Sequence, residues 1–455
     1  MPLAAARPLL HALLGASLLA VPGAVTQVPA LRAVVTYDGA APELPGLEVL
    51  QSLPSVSALV VEGSAAAVTR AARTPGVRGV SPDVAVSFTG GPSDAPAVRA
   101  AAGLGGDAGQ PGAGRGVRVA VVDTGVTDTP GLDRRSGRLV DAVDTSASPR
   151  KGPLDDGYGH GTFMASVIAG GPADGSSGAR HEPVGVAPGA TVLVVRVAQA
   201  DGSTRLSQVL AGLDWVAGHP SLVDVANLSL SYQRPGSAYG ADPLIAAVEQ
   251  VREAGITVVV SAGNDPSLVG DPGFTPRALT VGAADLTSGP VSVAPFSGSD
   301  TVAGVQKPDV VASGVGVLGV LPPGSVLAKD NPKARIGGRL WRGSGTSQAT
   351  AVTSGAVALL LADHPQATPG QVKAALRRAA SPLDSTRAGA GLLALGPVAA
   401  DAADDPAYGP GTGDPTGEGS FDANSWSANS WSANSWSANS WSANSWSANS
   451  WSWAR

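Results

Sequence analysis

Val117-Arg-Val-Ala-Val-Val-Asp-Thr-Gly125 is an apolar run that ends abruptly in a carboxylate, a hydroxyl and a glycine. Three similar runs follow, at Val192–Val197, Val223–Leu228 and Ile256–Val260. Short continuous apolar runs of this kind fit strands buried on both faces. Segments of helical period separate them. The best punctuated lies between the last two: Asp242 suits an N-cap, Pro243 the first helical position, and Gly255 the stop. Buried strands alternating with helices predict an α/β fold, a parallel sheet with helices on both faces. Ligands of such sheets bind beyond the carboxyl ends of the strands. Asp123 and the segment Ser261–Asn264 both fall on that edge.

The chain has 455 residues, room for one large domain and smaller appendages. A hydrophobic share of 43% supplies a sizeable core. The net charge of −6, without a long basic run, argues against nucleic acid as a partner, since phosphate binding needs clustered Lys and Arg. Cysteine is absent, which removes disulfides and thiolate metal sites. Residues 1–24 read as a signal peptide. Arg7 precedes an apolar stretch, Leu9 to Ala20, broken only by His11 and Ser17, and small residues follow at Gly23 and Ala24. The stretch is shorter than the ~20 residues that cross a bilayer. An uncleaved anchor is the alternative, and Pro22 blurs the cleavage site.

Residues 31–88 read as a small α+β module, with strands at Leu31–Tyr37, Ala58–Glu62, Val77–Val80 and Val84–Phe88 and a helix at Ala65–Arg73. Residues 89–116, rich in Gly, Ala and Pro, read as a linker to a main domain spanning 117–400. Residues 401–422 form an acidic Gly/Pro linker, and 423–455 hold Ala-Asn-Ser-Trp-Ser repeats.

Four motifs stand in order: Val-Val-Asp123-Thr-Gly, Gly-His160-Gly-Thr, Ala-Gly-Asn264-Asp and Gly-Thr-Ser347-Gln-Ala. Each alone is a weak match, and their joint occurrence is the signal. A serine hydroxyl becomes nucleophilic when a base removes its proton during attack. Histidine serves as that base near neutral pH, and a carboxylate holds its tautomer. A donor must then meet the oxyanion. The chain offers a residue for each task. Of five histidines, His11 lies in the leader, His181 in a Gly/Ser-rich loop, and His219 and His364 before prolines at helix ends. His160 alone sits between two glycines, expected to admit substrate and Ser347, with a helix following to about Ala169. Ser347 opens an apolar helix whose N-terminus offers N–H groups to an anion. Blander uses exist for each: a turn histidine, a serine N-cap, turn residues at Asp123 and Asn264.

The motifs resemble those of the subtilisin-like serine proteases over roughly Gly116 to Leu395. Val225-Ala-Asn-Leu-Ser-Leu-Ser231 resembles the family's substrate-pairing strand, Val258–Asn264 its strand to the oxyanion asparagine, and Lys307-Pro-Asp-Val-Val-Ala312 a further signature. Residues 31–88 resemble its inhibitory prodomain. The resemblance implies a secreted serine endopeptidase made as an autoprocessed zymogen, with polypeptide substrates and its own prodomain as partners. It implies that Asp123 orients, His160 is general base and acid, Ser347 attacks, and Asn264 with the Ser347 N–H holds the oxyanion. It implies substrate contacts at Ser229, Leu230, Ser231, Ser261, Ala262 and Gly263. No cofactor is expected; calcium is frequent in the family, but no oxygen-rich loop here marks a site. Three positions depart from the pattern: Ala351 and Ser313 replace prolines, and Ser231 replaces a glycine, which bears on specificity. A non-catalytic surface-binding protein on the same fold is one alternative. An esterase is another, disfavoured by the Asp–His–Ser order and by the lack of Gly-x-Ser-x-Gly at Ser347.

Seven of the nine tryptophans lie in the C-terminal repeats, spaced by five residues over most of the run. That period matches neither strand nor helix, so an extended or disordered segment is expected. Exposed indoles could bind a cell surface or polysaccharide and tether the protein there. Cell fractionation of a chain lacking residues 410–455 decides that question.

Overall fold

The computed structural model describes residues 30–92, 104, 108–110, 112–149, 152–172, 184–232, 242–287, 289–302 and 305–396. The leader, most of the 89–116 linker, His181, the acidic linker and the tryptophan repeats lie outside the described residues.

The apolar runs form the expected sheet. Its central strands are Thr257–Ser261, Val225–Leu228, Arg118–Asp123, Thr191–Arg196 and Leu139–Asp144, neighbours in that order and all parallel. Leu279–Asp285 and Val310–Ser313 extend it in parallel beyond Thr257–Ser261, and short Ser292–Val293 adds an antiparallel edge. Side chains alternate between two cores, as they must when both faces are covered. Val119 and Val121 join a core with the helices His160–Ala169 and Thr346–Asp363, while Ala120 and Val122 join another with Leu206–Gly218 and Pro243–Glu253. The helix punctuation reads as expected. Asp242 accepts from the N–H groups of Leu244 and Ile245 (2.8 and 2.9 Å), Pro243 is the first helical residue, and Gly255 has φ 92°.

Residues 31–82 make a four-stranded antiparallel sheet, order Leu47–Leu53, Ala58–Gly63, Leu31–Tyr37, Val77–Pro82, with the helix Ala65–Ala71. Leu47–Leu53 has no counterpart in the sequence reading. It is an edge strand, mostly exposed and interrupted by a register shift between Val49 and Gln51, so it carries no burial pattern. The module docks on the main domain. Leu53, Val56 and Val60 join the core around Leu210 and Val248. Asp83 accepts from the Ser207 N–H and hydroxyl (both 2.7 Å) at the start of Leu206–Gly218, where a carboxylate is favoured. Asp214 accepts from the Ser55 N–H at 2.6 Å.

Two segments depart from the expected division. Ala85–Phe88 pairs with nothing in the module's sheet; it lies between Thr204–Arg205 and Leu230–Ser231 of the main domain. Gly90–Pro92, read as linker, pairs antiparallel with Leu340–Gly345.

The Lys307–Asp309 motif forms a buried charge network. Asp309 pairs with Lys307 (2.8 Å) and with Lys373 (3.0 Å) on the helix Pro369–Ala379, and Lys373 also donates to the carbonyls of Pro276 and Ala278. Burial would raise the Asp309 pKa; the two ammonium groups, Lys307 foremost, bring it to about 2. Burial lowers Lys373 to about 7 although Asp309 pulls the other way, so the network carries its full charge only below neutrality. A carboxylate held below its ordinary value stabilises the fold above that value, and this contribution is lost as pH falls toward 2. Asp309→Asn, measured at pH 6, removes the anion that favours the charged form of Lys373, so the variant must either hold buried positive charge without it or release a proton on folding. It is expected to cost about 3–5 kcal/mol in denaturant unfolding; a change under about 1 kcal/mol would mean that the pairs are dispensable.

Candidate active site

Asp123 is the last residue of its strand, at the carboxyl edge, and His160 the first residue of the helix His160–Ala169. Both are buried, and His160 Nδ1 lies 2.8 and 2.9 Å from the two Asp123 carboxylate oxygens. Asp123 also accepts from the Thr124 N–H at 2.8 Å. A carboxylate so placed fixes the imidazole tautomer with its proton on Nδ1 and leaves Nε2 as the basic atom. The glycines beside His160 serve a different purpose from the one expected. Gly159 adopts φ 111°, and a side chain there would strike Ser325 and Leu321; one at Gly161 would press on Asp123 and the Gly125 carbonyl. They admit the Asp123 strand end and a neighbouring loop.

Ser347 is the second residue of the helix Thr346–Asp363, whose N-cap is Gly345, so Ser347 is not itself the cap. Its hydroxyl donates to the Ser229 carbonyl (2.9 Å) and lies 2.8 Å from Thr89 Oγ1. The expected third link, to His160 Nε2, is not made, and that nitrogen is buried without a hydrogen-bond partner. Serine hydroxyls move between staggered rotamers, and this one is turned to the Ser229 side.

The cleft holds a segment of the same chain. Phe88 and Ser87 stand opposite Leu230 and Ser231 in an antiparallel ladder, and the Thr89 N–H donates to the Ser229 carbonyl at 3.2 Å. The Thr89 carbonyl oxygen accepts from Asn264 Nδ2 and from the Ser347 N–H (3.4 Å). Asn264 is aimed by its other end, whose Oδ1 accepts from the Thr346 N–H and hydroxyl, both at 3.0 Å. Ser261 Oγ lies 2.8 Å from Thr89 Oγ1. Of the expected substrate contacts, Ser229, Leu230, Ser231 and Ser261 meet the segment. Ala262 and Gly263 direct their backbone bonds to Val281, Gly270 and Gly298. The Phe88 ring lies over His160, centroids 5.0 Å apart, and beside Tyr158 at 6.4 Å.

Asp156 was not legible as a site residue, because Leu154-Asp-Asp-Gly reads as an ordinary turn. It is buried beside the pair and accepts five hydrogen bonds. Oδ1 takes the Thr124 hydroxyl (2.8 Å) and the N–H groups of Tyr158 (3.1 Å) and Gly159 (2.7 Å); Oδ2 takes the Thr162 N–H and hydroxyl, both at 2.8 Å. It thereby ties the residue after Asp123 to the helix that begins with His160. Burial raises its pKa, opposed by the bonds from Gly159, Thr162 and Thr124. Asp156→Asn must turn an amide N–H toward one of these donors. It is expected to cost about 2 kcal/mol of stability and to lower kcat with little change in KM. An unaltered kcat would exclude a positioning role for Asp156. Among the described residues, no group of three or more His, Asp or Glu side chains is placed to hold a metal ion.

The profile of the Subtilase family matches residues 114–411. Serine protease AprX of Bacillus subtilis (strain 168) is 36% identical over 287 residues, covering 59% of this chain and 62% of AprX. Subtilisin BL of Lederbergia lenta is 34% identical over 282 residues, covering 62% of this chain and 89% of that protein. Among solved structures, fervidolysin from Fervidobacterium pennivorans, a keratinolytic enzyme related to subtilisin, superposes with a TM-score of 0.63 at 25% identity, covering 82% of this chain and 62% of fervidolysin.

Proposed function

This chain belongs to the subtilase family, and on that premise we propose that it is a secreted serine endopeptidase, made as a zymogen that processes itself, hydrolysing peptide bonds through an acyl-enzyme on Ser347. The observation that carries the reading is the Thr89 carbonyl. An extended peptide enters the cleft by strand pairing, and its carbonyl oxygen meets Asn264 Nδ2 and the Ser347 N–H beside the nucleophile. Donors preorganised around a carbonyl stabilise the charge that develops there on attack. In this reading Ser347 attacks, His160 moves the proton, Asp123 holds the imidazole, and Asn264 stabilises the oxyanion.

The 31–88 module then acts as the prodomain, since its last strand occupies the cleft and blocks other substrates. Export rests on the apolar leader, and attachment to a surface on the tryptophan repeats. The test is a fluorophosphonate probe together with a casein assay on the secreted product. Labelling of Ser347 and casein hydrolysis are expected. An unlabelled Ser347 in a folded chain would leave a binding module on a protease fold.

A further inference from the structure

We infer that Thr89–Gly90 is the bond this protein cuts in itself, and that Ser261 reads the Thr89 hydroxyl, so that its substrates are extended peptides with threonine or serine before the cleaved bond and glycine after it. This rests on the proposed endopeptidase activity and deepens it.

Three observations converge on the bond. First, strand pairing runs up to it from both sides and breaks at it. On the N-terminal side, Ala85–Phe88 is held between Thr204–Arg205 and Leu230–Ser231; on the C-terminal side, Gly90 and Gly91 stand opposite Gly345 and Ser344. Second, of the carbonyls in this segment, that of Thr89 takes the two converging donors. Third, the nucleophile stands against Gly90: a Cβ built there would lie 2.9 Å from Ser347 Cβ and closer still to Gln348 Oε1. The Ser347 side chain cannot yield without moving the attacking atom. The geometry therefore demands glycine after the bond.

The residue before the bond is recognised by its hydroxyl. Thr89 is buried, and its Oγ1 lies 2.8 Å from Ser261 Oγ, which in turn donates to the Leu230 carbonyl at 3.2 Å. Thr89 Oγ1 also lies 2.8 Å from Ser347 Oγ, so the threonine side chain stands between the nucleophile and Ser261. Further along the segment, Val86 is buried in the core with Leu206 and Leu230, and Phe88 covers His160. Thr89 donates the bond to Ser261, so an apolar isostere would leave Ser261 Oγ its bond to Leu230 but remove the one it accepts, and a hydroxyl is favoured.

The chemistry balances with water as the only co-reactant. Ser347 Oγ turns from Ser229 toward His160 Nε2, gives up its proton there, and bonds to the Thr89 carbonyl carbon. The Thr89–Gly90 C–N bond breaks as the imidazolium returns the proton to the Gly90 nitrogen. Water then hydrolyses the Thr89 ester on Ser347, leaving a Thr89 carboxylate and a new amino terminus at Gly90.

The test starts with the full chain, secreted and purified. Amino-terminal sequencing is expected to begin at Gly90, and Gly90→Ala to slow appearance of that terminus at least tenfold. A mature terminus elsewhere, produced only when Ser347 is intact, would overturn the assignment of the bond while leaving the protease reading standing. The same terminus in Ser347→Ala would sink the protease reading instead. For the hydroxyl, quenched peptides Val-Ser-Phe-Thr-Gly-Gly and Val-Ser-Phe-Val-Gly-Gly are compared on the mature enzyme. The threonine peptide is expected to be favoured in kcat/KM by about fivefold or more, and Ser261→Ala to bring that ratio near one. Equal hydrolysis of the two peptides by the wild-type enzyme would overturn the role of Ser261.

Discussion

Ser347→Ala is expected to abolish peptide hydrolysis and to leave the precursor whole, with the 31–88 module still joined to the main domain. In the proposed mechanism the hydroxyl removed is the atom that forms the acyl bond, and the hydroxyl 2.8 Å from it, that of Thr89, belongs to the segment lying in the cleft and does not replace it. Loss of this nucleophile costs about 10⁶-fold in kcat in proteases of this family, a magnitude that comes by kinship and not from the distances here. What remains would come from the donors at Asn264 and the Ser347 N–H, which alanine leaves in place. The fold is expected to survive, because the Ser347 hydroxyl bonds only Ser229 and Thr89 while the helix behind it is buried and apolar. Mass spectrometry of the secreted product and a casein assay check both halves. A folded Ser347→Ala chain that still hydrolyses casein would remove Ser347 from the mechanism.

Asn264→Ala is the second large effect. Its amide bridges the helix start, through Thr346, and the Thr89 carbonyl. The bond to the carbonyl strengthens as negative charge develops on that oxygen, so its loss falls on the transition state more than on the bound substrate. Removal of one such donor in this family costs about 10²–10³ in kcat, again by kinship. KM should move little. Binding of a non-reactive substrate analogue separates the cases: an equal loss in analogue affinity with unchanged kcat would assign Asn264 to ground-state binding. Asp156→Asn should share the direction with a smaller effect, since it acts through the positions of Asp123 and His160.

Much of the site was legible because it is encoded in local chain breaks. Asp123 ends a strand and Asn264 follows one, so both could be placed on one edge of the sheet from their own few residues, and His160 and Ser347 could be placed at helix starts. Apolar runs gave four of the five central strands within two residues because burial on both faces leaves no polar alternation to blur them; Leu139–Asp144, half-exposed along most of its length, had no such run. Edge segments were less legible. Leu47–Leu53, exposed along most of its length, leaves no such trace. Asp156 reads as a turn residue, and Lys307 and Asp309 read only as part of a signature with no sign of their link to Lys373, since burial of a charge depends on partners distant in sequence.

The amino-acid sequence by itself determined the parallel sheet, the helices that begin at Pro243 and near His160 and Ser347, four candidate site residues and a small module ahead of them. Hydrophobic period, caps and glycines act over a few residues and are written locally. Only the tertiary structure decided where Val84–Phe88 belongs. Its composition calls for a strand, but a strand's hydrogen bonds go to whichever edge the rest of the fold presents. Here that edge is Leu230–Ser231 in the cleft, not the sheet of residues 31–82. That choice carries the Thr89 carbonyl to Asn264 and Ser347, and with it the bond on which the protein would first act.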